Sequence, residues 1–103
     1  MDIKEFALRL SQLRMNVGYT ASDMSESMGK SRNFLSQLEN ARHFPTMENF
    51  FEICTYLRIT PKDFFDVGVM APTKLNELYE MEKTLSSEQL DVLISMVKAM
   101  KKE

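Results

Sequence analysis

The stretch "TASDMSESMGKSRNFLSQLEN", residues 20–40, decides the architecture. It reads as two short helices joined by a turn, with Gly29 where the chain needs a left-handed residue. Thr20 is placed to cap the first helix, accepting from the amide three residues on, and Asp23 can reach back. Met24 and Met28 form that helix's apolar stripe. Ser31, an N-cap type, is expected to open the second helix, which buries Leu35 and Leu38. Ser25 falls on the inner side of the first helix, small enough to let the second cross closely. Arg32, Asn33, Ser36 and Gln37 are then left pointing away from the core.

Working outward, helical signals dominate on both sides. Ile3, Phe6, Leu10, Leu13 and Val17 recur on one helical face, with Asp2 as cap and Gly18 as terminator. After the loop "ARHFP", Thr46 caps a helix whose Met47, Phe50, Ile53, Cys54 and Leu57 are expected to face inward. "TPKD" starts a short fifth helix, with Thr60 as cap, Pro61 in the first turn, and Phe64 and Phe65 as anchors. "GVMAP" (68–72) reads as a hinge. Beyond it come a helix from Thr73 and another from about Ser87, the latter introduced by a Ser86/Gln89 capping box. The expected organisation is all-α, with a five-helix domain at 1–67 and a two-helix extension at 73–103.

Composition narrows the function. Hydrophobic residues make up 44% and charged residues 27%, the balance of a folded chain. No apolar run approaches the roughly 20 residues of a membrane span. "MDIKEFALRL" is broken by charges and does not read as a signal peptide, so a cytoplasmic setting is expected. The single Cys54 excludes an internal disulfide and is expected to be buried and inert. His43 is the only histidine and has no second histidine or cysteine nearby, so neither a metal nor another cofactor is expected. No acid–base pair, activated nucleophile or phosphate-cradling loop can be assembled, so an enzyme is not expected. The nine methionines are expected mainly in the core. Net charge is −2, so any attraction to phosphates must come from locally placed cations.

A second helix presented as in residues 31–40 fits the DNA major groove, where Arg can bond guanine and Asn or Gln can bond adenine bidentately. Leu13-Arg14, Met24, Met28-Gly29, Ser31-Arg32, Leu35-Ser36, Leu38-Glu39-Asn40, Pro45 and the apolar ladder through Leu57 stand in a familiar order. Residues 4 to about 66 resemble the Cro/CI-type helix-turn-helix domain, the xenobiotic-response-element or lambda-repressor-like family. The resemblance implies a five-helix DNA-binding fold that reads operators on double-stranded DNA, usually as a dimer, and often represses transcription. By position it makes Arg32, Asn33, Ser36 and Gln37 the base readers. It makes Thr20, Ser31, Asn40, Arg42 and His43 the phosphate contacts, and Lys30, as a cation beside the DNA, is expected to join them. Glu39 is expected to bond the scaffold, and Phe34 to pack beside Leu38. Three positions depart from the family's pattern: Ala21 stands for its usual glutamine, Ala41 for its glycine, and Lys30 for an apolar turn residue.

The last helix has apolar residues around most of its circumference. Leu90, Leu93, Val97 and Met100 lie on one side and Val92, Met96 and Ala99 on another, and Ile94 adds to the apolar circumference. One side is expected to pack on Leu75, Leu78 and Leu85, and the rest to enter a homodimer; Leu90, Leu93, Ile94, Met96, Val97 and Met100 are the dimerisation candidates. Two recognition helices about 34 Å apart would then engage two half-sites. The alternatives from other classes are a protein-interaction module and an antitoxin on the same fold, with DNA binding weakened or lost.

Overall fold

The computed structural model describes residues 1–102, and every regular element in them is helical. The helices are α1 (Ile3–Val17), α2 (Ala21–Ser27), α3 (Phe34–Glu39), α4 (Met47–Leu57), α5 (Pro61–Phe65), α6 (Pro72–Glu82) and α7 (Ser87–Met100). The first five form the lambda-repressor-like arrangement expected of the sequence.

Local chemistry sets most helix ends. Asp2 accepts the Glu5 amide at 2.9 Å, Thr20 the Asp23 amide at 3.1 Å, and Thr46 the Asn49 amide at 3.1 Å. Thr60 with Asp63 and Ser86 with Gln89 close reciprocal capping boxes. Gly18 ends α1 at φ 95°, its amide bonded to the Arg14 and Met15 carbonyls. The start of α3 differs from expectation. Ser31 does not cap it; the Phe34 amide bonds the Ser31 carbonyl at 3.1 Å, and Asn33 holds φ −98°, ψ 11°. Residues 31–33 therefore curl as a tight turn ahead of the helix, because an i to i+3 bond forms where an α-helix needs i to i+4.

The chain divides into two compact units, Met1–Thr73 and Lys74–Glu103. The first has a core of Phe6, Leu10, Leu13, Met24, Leu35, Leu38, Phe50, Ile53, Leu57 and Phe64, each at most 4% exposed. Phe64 sits 4.9 Å from Phe6 and 5.1 Å from Phe50 between ring centroids, the second pair edge to face. Such side chains contribute about 1.5–3 kcal/mol each on burial.

Two expected anchors lie outside this core. Met47 is 64% exposed: at the first position of α4 its side chain leans toward the N-terminus, past the packed layer. Phe65 is exposed because it follows Phe64 by one helical step, and Phe64 takes the inward direction. Among the methionines only Met24 and Met28 are buried, contrary to the expectation that most would fill the core. Met81, Met96 and Met100 lie beyond Thr73, where two helices have too little surface to enclose one.

Residues 66–73 are fastened to the first unit. Arg9 is 2% exposed, and its guanidinium donates to four carbonyls: Nε to Phe64 at 2.7 Å, Nη1 to Val69, and Nη2 to Asp63 and Asp66, each at 2.8 Å. Asn16 donates to the Met70 carbonyl, and the Thr73 hydroxyl to that of Leu57 at 2.5 Å. In the second unit no residue of α7 is buried. Leu85, Leu90 and Leu93 are half-buried, whereas Leu75 and Leu78, expected to pack under α7, are exposed.

Candidate nucleic-acid interface

Three contacts set the α2–turn–α3 geometry. The Ser25 hydroxyl, fully buried, donates to the Ala21 carbonyl at 2.7 Å and accepts the Leu35 amide at 3.1 Å, stitching α2 to α3. The Tyr56 hydroxyl donates to the Ser27 carbonyl at 2.6 Å, holding the end of α2 against α4. Gly29 carries the turn at φ 74°, which a side-chain-bearing residue adopts only with strain.

The far end of α3 is held from α1. Arg14 meets Glu39 through two parallel bonds, Nε to Oε2 and Nη2 to Oε1, both at 2.8 Å, while its Nη1 donates to the Tyr19 carbonyl at 2.7 Å. The two side chains are only 13% and 11% exposed. Glu39 raises the Arg14 pKa above its ordinary value, chiefly through this hydrogen bonding. Glu39 thus bonds the scaffold, as its position implied.

With Leu35 and Leu38 fully buried, the opposite side of α3 faces solvent. Asn33, Ser36, Gln37, Asn40 and Arg42 line one concave polar surface there, enclosing about 470 Å³. Expected base readers and expected phosphate contacts thereby share one groove. The Arg42 amide bonds the Gln37 carbonyl at 3.1 Å, which turns the loop back beside the helix. Ala41 makes that turn at φ 57°, so the left-handed geometry that glycine usually supplies is kept here at a cost of about 1 kcal/mol.

The other candidates lie around this groove. Arg32, in the turn before α3, pairs through Nε with Glu26 Oε1 at 3.0 Å. Lys30 Nζ lies 3.6 Å from Glu52 Oε2 and 5.9 Å from the centroid of the Phe34 ring. Phe34 itself is half-buried against the core. Ser31 and Thr20 are exposed, and His43 is exposed with Nδ1 2.9 Å from the Phe44 carbonyl. Ala21, at the usual glutamine position, packs against the core. Sequence reading did not single out Glu26, Glu52 or Tyr56. Their partners are 6, 22 and 29 residues away, beyond the reach of capping or helical periodicity.

Burial pushes the Cys54 thiol up to about 11, with the Asp63 charge adding to the shift, so the thiolate is disfavoured. Among the described residues no group of His, Cys, Asp and Glu could hold a metal ion, and no helix is long and apolar enough to cross a membrane.

Fold and groove together define a helix-turn-helix domain of the kind found in DNA-binding regulators. A family model described as Helix-turn-helix matches residues 10–64, more than half of the chain. The chain belongs to this Cro/CI-type, xenobiotic-response-element-like helix-turn-helix family. No curated protein and no solved structure matches it.

Proposed function

We propose that this DNA-binding regulator is a cytoplasmic, operator-specific repressor that binds as a homodimer. The observation that carries the reading is the polar groove of Asn33, Ser36, Gln37, Asn40 and Arg42 on the outer side of an α3 that is anchored at both ends. Asn33 and Gln37 present amide groups suited to adenine, and Arg32 at the same end offers a guanidinium suited to guanine. Thr20, Lys30, Ser31, Asn40, Arg42 and His43 are the phosphate contacts of this reading.

The dimer rests on residues 73–102. Val92, Ile94, Met96, Val97 and Met100 are 42–74% exposed, an apolar surface that a second copy of α7 would cover together with the half-buried Leu90 and Leu93.

Selection from randomised duplex DNA at moderate salt tests the proposal, with an Arg32→Ala, Gln37→Ala double variant as control. A two-fold symmetric site that the control loses, bound with an affinity that falls steeply with salt, is the expected result. A folded dimer that enriches nothing would refute it. The second reading, a protein-interaction module, then takes first place. It draws support from the ion pairs that Glu26 and Glu52 make with Arg32 and Lys30, which offset two of the cations nearest the groove.

A further inference from the structure

Arg32 is the one charged residue among the four candidate base readers, with its side chain 79% open to solvent. A guanidinium left free there would sample many rotamers and could bond a base in more than one way. It can present its end, Nη1 with Nη2, or its side, Nε with one Nη. The structure restricts this choice. Glu26, in the last turn of α2, pairs with Arg32 on the Nε side of the guanidinium, Oε1 lying 3.0 Å from Nε.

We propose that Glu26 is a specificity-determining positioning residue: it holds Nε of Arg32 so that the two Nη groups meet guanine O6 and N7 end-on. The inference rests on the reading of α3 as the recognition element. In the free protein the ion pair is solvated and contributes little to stability. When the groove closes on DNA, water leaves and the same contact strengthens, because a lower dielectric screens it less. Glu26 then does two opposing things. It orders the fork of Arg32, which sharpens base choice, and it sets a negative charge beside the phosphates, which weakens binding to every sequence. A residue that only supported the fold would move both quantities together.

The test uses the full chain and the most enriched duplex from the randomised pool, with each guanine of the half-site replaced in turn. Binding is followed by fluorescence anisotropy for wild type, Glu26→Gln, Arg32→Lys and the double variant. Glu26→Gln is expected to lose roughly three- to tenfold of the preference at one guanine, part of the about 5- to 150-fold that a bidentate arginine–guanine pair commands. Its affinity for scrambled duplex is expected to rise about two- to threefold, since one repelling charge is gone. Arg32→Lys keeps the charge and loses the fork, so adding Glu26→Gln to it should leave base preference unchanged.

Unaltered guanine preference in Glu26→Gln, with wild type binding its site, overturns the Glu26 role alone. So does loss of preference at a cytosine instead, which would make Glu26 a direct reader. Failure of the wild-type chain to enrich any duplex overturns the DNA reading and this role together.

Discussion

Replacing Arg9 by methionine is expected to remove about 3–5 kcal/mol from the stability of the Met1–Thr73 unit. The magnitude follows from its surroundings. Four bonds from a charged donor contribute about 1.5–3 kcal/mol each, a gross gain of order 6–12 kcal/mol. Against that stands the cost of taking a guanidinium out of water, several kcal/mol. That cost also appears in the Arg9 pKa, which burial draws below its ordinary value while Asp66 and Asp63 act to raise it. Methionine removes the gain and the cost together but leaves the buried Phe64 carbonyl without a donor, a penalty of about 1–3 kcal/mol. Urea denaturation followed by circular dichroism reads the change, with an m-value expected to stay constant. At about 4–8 °C per kcal/mol for a domain of this size, the melting temperature should fall by roughly 12–40 °C. Arg9→Lys should lose about half as much, since an ammonium cannot span four carbonyls. Hydrogen exchange supplies the local readout. The Val69 amide, bonded to the Asp66 carbonyl at 3.1 Å, should lose protection in both variants. Stability within about 1 kcal/mol of wild type in Arg9→Met would refute the reasoning, because water would then be serving those carbonyls equally well.

Three further outcomes are expected. Ala41→Gly should stabilise the fold by about 0.5–1 kcal/mol, the left-handed strain at φ 57° outweighing glycine's extra freedom in the unfolded chain; a lower melting temperature would count against it. Cys54 has a folded pKa of about 11 against an ordinary 9.0, so its contribution is fully present below pH 9 and is lost as pH rises toward 11. The loss amounts to about 3 kcal/mol, and the decline should be correspondingly shallower in Cys54→Ala when stability is measured across that range. Val97→Glu should give a monomer by sedimentation with the first unit still folded, and should lower apparent operator affinity about 100-fold or more; a dimer of unchanged mass would remove α7 from the interface.

The features legible in the sequence are those whose partners lie within one helical turn. The capping Asp2, Thr20, Thr46, Thr60 and Ser86 bond amides three residues away, Pro61 suits the first turn of a helix through its own ring, and Gly18 and Gly29 meet a positive φ by lacking Cβ. The apolar ladder from Phe6 to Phe64 repeats on helical spacing, so the core and the helix-turn-helix between its rungs could be placed before any coordinates. Tertiary structure alone decided the rest. Nothing near Arg9 in the chain marks it for burial, because its four carbonyls are supplied 54–60 residues later. The Arg14–Glu39 clamp spans 25 residues, and Glu26 was an ordinary helix-surface acid until the turn brought Arg32 to it. Met47 and Phe65 look like core residues by composition, but Met47 stands at the first position of α4, past the packed layer, and Phe65 is turned outward by one helical step from Phe64. A cap depends on the few torsions between neighbours, whereas a buried arginine or an oriented guanidinium depends on where separate helices finally pack.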